Sequence, residues 1–177
     1  MLSELKHLLR GYRGPTNASL GADMALFPPD IYCCDADALI DLHSAGLLRK
    51  LRILAQNGKL WVPEGVFAEL RRFTNKLAAI LASWDSKYGI VVRLNHNDLS
   101  LLPRLEREYG PPFRLGGRNY AGFWASASGR RAKDAQVVAV AKTRGWTVVS
   151  NDDSIHGACM LEKVPCRRWE EIGRLLL

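Results

Sequence analysis

The pattern of apolar and polar positions divides the chain near residue 30. Leucines recur at helical spacing over residues 2–13, and a stretch containing Gly, Pro and Asn follows, so residues 1–29 are predicted to form an N-terminal amphipathic helix and a linker. From Ile31 onward, short apolar runs alternate with segments of helical periodicity. Residues 30–177 are therefore predicted to form a single domain.

Strands and helices are predicted to alternate within this domain. The apolar runs IYCC, LWVP, IVVRL and WTVVS are short enough to be strands. Helices are predicted over residues 37–57, from about 64, near 97–109, from about 131, and after Arg167. Strands that alternate with helices typically form a parallel sheet covered on both faces. The chain is therefore predicted to have an α/β fold.

Residues 110–130 interrupt this alternation. Their sequence, GPPFRLGGRNYAGFWASASGR, is rich in glycine, arginine and aromatic residues. We predict a long loop, which in a compact domain is usually functional or mobile. Phe123 and Trp124 could either anchor this loop to the core or stack on a bound base.

The charge of the chain favours a polyanionic partner. The formal net charge is +7, and a basic chain attracts polyanions through its long-range field. Charge alone does not decide this, because solvated basic faces are common. The sequence has no long apolar run that could span a bilayer and no signal-peptide pattern at its start, so we expect a cytoplasmic protein.

Acidic residues follow three of the predicted strands. In open α/β sheets the functional crevice lies outside the carboxyl ends of the strands. The residues concerned are Asp35 and Asp37 after IYCC, Glu64 and Glu69 after LWVP, and Asp152 and Asp153 after TVVSN. We therefore expect an acidic crevice at this edge of the sheet.

Two further positions allow alternative interpretations. Asp134 shares a helix face with Val137, Val138 and Ala141, so it would point inward, but an Asp at the beginning of a helix can also be a cap. Glu69 lies at the edge of an apolar stripe, and taken alone it could be a solvated helix residue.

Electrostatic repulsion opposes the placement of several carboxylates in one crevice. Two unit charges about 4 Å apart repel by about 4 kcal/mol at an effective dielectric of about 20. Several such pairs would require a counterion, and ligand sets made only of oxygen suit Mg²⁺ or Mn²⁺. An acidic, metal-binding crevice on a basic protein points to phosphate-ester chemistry.

The motifs resemble those of the PIN domains, most of which are ribonucleases, including the toxins of many toxin-antitoxin pairs. IYCCDADALIDL resembles the opening of the family, VPEGVFAEL its second motif, and KDAQVVAVAKTRGWTVVSNDD its closing half. The resemblance implies a PIN-like three-layer α/β/α fold with a central parallel sheet of four to five strands. It also implies that the chain is an Mg²⁺- or Mn²⁺-dependent endoribonuclease.

The resemblance assigns roles to individual residues. Asp35, Asp134 and Asp152 would hold metal, and Glu69 would be a ligand or would orient the attacking water. Ser150 would support one of the carboxylates by a hydrogen bond. Asp37 departs from the family pattern, in which Ser, Thr or Asn is usual, so it could be an additional ligand or a helix cap.

The expected partner is RNA. Candidate RNA-binding residues are Arg130, Arg131 and Lys133, just before Asp134, together with Arg114 and Arg118. The family resemblance adds an antitoxin protein as a candidate partner and a homodimer as a candidate assembly.

Two alternatives remain at this stage. DADAL after a strand also resembles the opening of haloacid-dehalogenase-type phosphatases, in which Asp35 would be the nucleophile. The chain could instead be a catalytically silent PIN-like module that binds RNA or protein.

Overall fold

The computed structural model describes residues 31–73, 75–124 and 132–176. The predicted N-terminal helix and linker, residues 1–29, lie outside the described residues, as do Arg130 and Arg131.

The main sheet contains five parallel strands in the order β3-β2-β1-β6-β7. Their bounds are β1 Tyr32–Cys34, β2 Leu60–Pro63, β3 Val91–Val92, β6 Thr147–Val149 and β7 Cys166–Arg167. The predicted α/β fold with a parallel sheet of four to five strands is confirmed. Buried apolar residues dominate these strands, as expected for a sheet covered by helices.

Helices flank the sheet. They are α1 Ala36–Ser44, α2 Leu48–Gln56, α3 Glu64–Phe73, α4 Asn75–Tyr88, α5 His96–Tyr109, α6 Ala132–Arg144, α7 Asp153–Glu162 and α8 Trp169–Leu176. Helix α6 packs against β1, β2 and β6, and α5 packs against α6. The apolar face of α6 is fully buried, with Val137, Val138 and Ala141 at its centre.

Two predicted helices are each divided in the structure. The helix predicted over 37–57 is interrupted by a turn at residues 45–47, and the helix predicted from about 64 consists of α3 and α4. Helix α7 and strand β7 were not predicted. The β7 pairing places Arg167 opposite Val149, so it extends the sheet beyond β6.

The predicted long loop contains a β-hairpin, formed by β4 Phe113–Leu115 and β5 Arg118–Tyr120. Its two-residue turn is Gly116-Gly117, and both glycines have positive φ angles, 56° and 80°. Such turns match the twist of antiparallel strands and require residues that tolerate positive φ. The sequence pattern predicted only a loop here, although the Gly-Gly pair between two short segments is a signal that could have predicted the hairpin.

Among the residues that the structure describes, no helix combines the length and the apolar character needed to cross a membrane.

Candidate functional site

Four predicted site residues line one cavity at the carboxyl edge of the sheet. The connection from β1 leads to its neighbour β2, whereas the connection from β6 leads to β7 on the opposite side. The boundary between β1 and β6 is therefore a switch point, the place where α/β sheets bind ligands. The cavity there has a volume of about 350 Å³. It is lined by Asp35, Ala36, Asp37, Glu69, Trp124, Asp134 and Asp152.

Asp35 lies directly after β1 and is buried. Its Oδ1 accepts a hydrogen bond from the backbone N–H of Ala36 at 2.7 Å, so the same carboxylate caps α1. Its Oδ2 accepts from the Ser150 hydroxyl at 3.0 Å. Burial raises the pKa of Asp35 to about 7, and the charges of Asp37 and Asp152 add to this rise. The predicted support of a carboxylate by Ser150 is therefore present in the geometry.

Asp134 lies in the first turn of α6 and is also buried. Its Oδ2 accepts a hydrogen bond from the backbone N–H of Trp124 at 2.6 Å, a donor outside its own helix. Burial, together with the charges of Asp35 and Asp152, raises the pKa of Asp134 to about 8. The side chain therefore points into the crevice, where nearby carboxylates destabilise its charged form.

Asp152 caps helix α7 and also lines the cavity. Its Oδ1 accepts from the backbone N–H groups of Ser154 and Ile155 at 2.6 and 3.2 Å, so it caps α7. Its own N–H donates to the Ser150 hydroxyl at 3.1 Å. The ring Nε2 of His156 lies 2.8 Å from the carbonyl oxygen of Ser150. This turn therefore holds Ser150 and Asp152 in fixed positions beside Asp35.

Glu69 is half-buried on α3 and forms an ion pair with Lys133. The Lys133 ammonium also lies over the Trp124 ring, 4.5 Å from its centroid. Glu69 thus faces the crevice rather than bulk solvent. Lys133, predicted to bind RNA, is engaged with a site carboxylate.

Asp37 is exposed at the beginning of α1 but lines the cavity. Partial burial raises the pKa of Asp37, and the charges of Glu69, Asp41 and Asp152 raise it too. Asp37 therefore shares the electrostatic environment of the four other carboxylates.

The donor chemistry of this site fits a hard divalent cation. The charged ligands facing the cavity are all carboxylates, the type that Mg²⁺ and Mn²⁺ prefer. Within the described residues, no three His, Cys, Asp or Glu side chains have donor atoms already arranged as a ligand sphere. The Trp124 N–H and Lys133 each hold one oxygen, of Asp134 and of Glu69 respectively. A carboxylate offers about four lone-pair sites on two oxygens, so both side chains can bind an ion and keep these contacts.

The hairpin arginines differ in their contacts. Arg114 is exposed on β4. Arg118 on β5 forms an ion pair with Asp153, which also pairs with Arg168. Sequence reasoning missed Arg168 and the backbone N–H of Trp124, because neither belongs to a local motif. Phe123 is buried and anchors the segment to the core, whereas Trp124 is 54% exposed.

The fold and the site together define a class of protein: an α/β domain whose parallel sheet carries a cluster of carboxylates at one edge. The family model for the PIN domain matches residues 32–159. This match spans well over half of the chain, and the chain therefore belongs to the PIN domain family. The family predicted from the sequence motifs is confirmed.

Three solved structures are similar to this chain. PAE2754 from Pyrobaculum aerophilum is 19% identical, with 82% of this chain and 96% of that chain covered and a TM-score of 0.46. FitAcB from Neisseria gonorrhoeae is 14% identical, with coverages of 79% and 99% and a TM-score of 0.49. VapBC2 from Rickettsia felis, bound to a DNA fragment from their promoter, is 14% identical, with coverages of 78% and 98% and a TM-score of 0.48. A search of curated proteins gives no match.

Proposed function

We propose that this protein is a metal-dependent endoribonuclease that hydrolyses RNA phosphodiester bonds with Mg²⁺ or Mn²⁺. The observation that carries the proposal is the convergence of Asp35, Asp134, Asp152 and Glu69 on one cavity. Buried carboxylates that raise one another's pKa are costly to keep charged, and a divalent cation relieves this cost. Membership of the PIN family, whose members are mostly ribonucleases, supports the same reaction.

Asp35, Asp134 and Asp152 would hold the metal, and Glu69 would be a further ligand or would orient a water molecule. When bound, the metal supplies a water of lowered pKa and stabilises the charge that develops on the phosphate. The protein positions these groups. Ser150 fixes the orientation of Asp35, and the α7 cap fixes that of Asp152.

Lys133 and Trp124 form one wall of the crevice. Lys133 is close enough to Glu69 to pair with it, and its ammonium would attract an RNA phosphate once Glu69 has another partner. The exposed Trp124 ring offers a face on which an unpaired base can stack. Single-stranded or looped RNA is therefore the proposed substrate, and Arg114 and Arg118 are proposed to contact its backbone.

The proposed location, partner and assembly of the protein are based on its membership of the PIN family. We place the protein in the cytoplasm, and we propose it as the toxin of a type II toxin-antitoxin pair, with a small antitoxin protein as partner. A homodimer is the proposed assembly. Co-purification with the product of an adjacent small gene would test the partner, and light scattering of the purified chain would test the dimer.

The enzymatic proposal is tested by RNA cleavage. The wild-type protein should cleave a labelled single-stranded RNA in Mn²⁺ and lose this activity in EDTA. Asp35→Asn should retain the fold and lose cleavage by at least about a hundredfold, because a metal ligand is removed. Glu170→Gln, which removes an exposed carboxylate from α8, is the matched control and should cleave normally.

Two outcomes would point to other functions. RNA binding by the wild type without cleavage in either metal would favour a catalytically silent module. Turnover of p-nitrophenyl phosphate through a phosphoaspartate on Asp35, without RNA cleavage, would favour a phosphatase.

A further inference from the structure

Two arginines from different parts of the chain converge on one carboxylate beside the crevice. An Nη2 of Arg118, on the hairpin, lies 2.5 Å from Oδ2 of Asp153, and an Nη2 of Arg168, between β7 and α8, lies 2.6 Å from Oδ1. All three side chains are accessible, since their exposed fractions are 60% for Arg118, 45% for Arg168 and 46% for Asp153.

The position of Arg118 is fixed by aromatic packing. Its guanidinium lies over the Tyr120 ring, 5.3 Å from the centroid. Tyr120 in turn stacks on Phe113 with a centroid distance of 5.0 Å. Both rings pack against α7 at Gly157, where an added Cβ would lie only 2.9 Å from Tyr120 and 3.0 Å from Phe113. The hairpin therefore holds Arg118 against the helix that begins at the crevice.

The position of Arg168 is fixed by backbone contacts. Its Nη1 donates to the carbonyl oxygen of Asn151 at 3.3 Å, and its backbone N–H donates to Glu171 at 2.9 Å. Asn151 belongs to the turn that carries Ser150 and Asp152. Both guanidiniums are thus ordered before a ligand arrives, which lowers the entropic cost of binding one.

The charge balance of this cluster favours an anion. Arg118, Arg168 and Asp153 together carry a net charge of +1, and the charge of Glu170 also acts on Arg168. The Asp153 carboxylate cannot use all the N–H donors that two guanidiniums offer. Exposed ion pairs contribute little to stability, so folding alone gives a weak reason for this arrangement. Guanidinium groups bind phosphate oxygens through paired, charge-assisted hydrogen bonds.

We propose that Arg118 and Arg168 form an arginine clamp that binds a backbone phosphate of the nucleic-acid strand entering the crevice. Asp153 holds the two guanidiniums together in the free protein and gives way to the phosphate. Because Asp153 directly follows Asp152, which lines the cavity, the clamped phosphate lies next to the site of cleavage. The clamp rests on the proposed nuclease function and specifies how its substrate is held.

Binding of a fluorescent single-stranded RNA to Asp35→Asn protein tests the clamp without cleavage. Arg118→Gln and Arg168→Gln should each weaken binding by about fivefold and reduce the slope of log K against log salt by about 0.7, the value for one lost phosphate contact on a single strand. Arg174→Gln makes the same charge change at an exposed position in the last turn of α8 and should change binding less than twofold. Asp153→Asn should instead tighten binding, because it removes the competing carboxylate.

The opposite sign expected for Asp153→Asn separates a clamp from a structural cluster. If the two arginines only stabilised the fold, loss of Asp153 would weaken binding or leave it unchanged, and either result would overturn the clamp. The clamp would also be overturned if the Arg118→Gln and Arg168→Gln variants bound RNA as tightly as the Arg174→Gln variant. Thermal unfolding of each variant reports damage to the Asn151 turn, and Arg168→Lys should recover part of the RNA affinity if charge is what matters.

Failure of the clamp and failure of the nuclease proposal are distinguishable. If wild-type protein cleaves RNA and the arginine variants bind it normally, the clamp is overturned and the nuclease stands. If strand binding depends on both arginines while no cleavage occurs in Mn²⁺, the clamp stands and the nuclease proposal fails. A single-stranded DNA of the same sequence should lose affinity by the same factor in Arg168→Gln, since a phosphate contact does not read the 2′-hydroxyl. No measurable binding of either strand would overturn the clamp.

Discussion

Asp134 lies in the first turn of α6, and its carboxylate lines the cavity at the carboxyl edge of the sheet. An Asp in the first turn of a helix is favourable for the helix dipole, which supported the capping interpretation. In the structure its Oδ2 accepts a hydrogen bond from Trp124, and its charged form is disfavoured by burial and by Asp35. Its carboxylate therefore contacts a donor outside its own helix and faces the other carboxylates of the cavity.

Asp134→Asn should abolish RNA cleavage and leave thermal stability intact or raise it. The Asn oxygen can still accept the Trp124 N–H, whereas the buried negative charge beside Asp35 is gone. Cleavage assays and thermal unfolding in EDTA at pH 8 provide the two measurements. Glu170→Gln is the control for removing an exposed charge, and unfolding of Asp134→Asn at room temperature would restore the capping interpretation.

The raised pKa values of Asp35 and Asp134 predict how stability depends on pH. Both groups have higher pKa values in the folded state, about 7 and about 8, than their ordinary value of 3.8. The folded state therefore binds protons more tightly, and this stability is fully present below pH 3.8 and is lost as pH rises to about 8. In EDTA, the free energy of unfolding should fall over this window, and Asp134→Asn should make the fall shallower. An equal slope in wild type and variant would contradict the assignment.

Among the helices, an ionic network centred on the buried Glu162 connects α5, α6 and α7. Glu162, at the end of α7, receives two hydrogen bonds from Arg104, each of 2.7 Å. It also accepts from Lys142 at 2.5 Å and from the Tyr109 hydroxyl at 2.7 Å. The hydrogen bond from Arg104 is the main cause that lowers the pKa of Glu162 to about 2. Helix α5, which leads into the hairpin, is therefore attached to α6 and α7 by charge as well as by packing.

Glu162→Gln should lower the free energy of unfolding by about 1.5 to 3 kcal/mol, because the partly exposed cations of Arg104 and Lys142 lose the buried anion that they share. Glu108→Gln is the matched control: Glu108 pairs with the same Arg104 at 2.9 Å but is 41% exposed, so its loss should cost less than about 1 kcal/mol. Urea unfolding at pH 7 measures both. Equal effects of the two substitutions would show that burial does not control this network.

Gly157 on α7 allows the hairpin to dock. Gly157→Ala would bring a methyl group within 2.9 Å of the Tyr120 ring, so the hairpin must shift. We expect faster hydrogen exchange over residues 113–120 and a net loss of stability, although Ala is a better helix former than Gly. Gly173→Ala on α8 is the control, since its nearest contact is Leu47 Cδ1 at 3.3 Å. Unchanged exchange in Gly157→Ala would contradict this docking mode.

At the scale of the whole molecule, the crevice joins segments that lie far apart in the chain. Asp35 follows β1, Glu69 lies on α3, Asp134 lies in the first turn of α6 and Asp152 precedes α7. A cation held by these residues would connect four elements that the unfolded chain keeps apart. Ligands that bind only the folded state stabilise it by mass action.

Mn²⁺ should therefore raise the thermal unfolding temperature, and more at pH 8 than at pH 5, because metal competes with the protons on Asp35 and Asp134. At a hundred times the dissociation constant, the expected gain is about 2.7 kcal/mol. Differential scanning fluorimetry with and without Mn²⁺ measures the shift. Asp35→Asn should lose most of it and Glu170→Gln should keep it, whereas an equal shift in both would place the ion elsewhere.

Local sequence patterns predicted much of the fold and the site. The alternation of apolar runs and helical segments predicted the parallel sheet, and the acidic residues after IYCC, LWVP and TVVSN predicted which edge carries the crevice. The same patterns missed β7, because a two-residue strand has too few positions to show a period. They also missed the hairpin, since its strands are short and only partly buried.

The sequence by itself determined the elements with strong periodicity and the carboxylates that follow them, because both depend on neighbouring residues and on the general geometry of α/β sheets. Only the tertiary structure decided the partners: Lys133 with Glu69, the Trp124 N–H with Asp134, and Arg168 with Asp153. These contacts join residues separated along the chain. Their formation depends on how the hairpin and the helices pack, which no local pattern encodes.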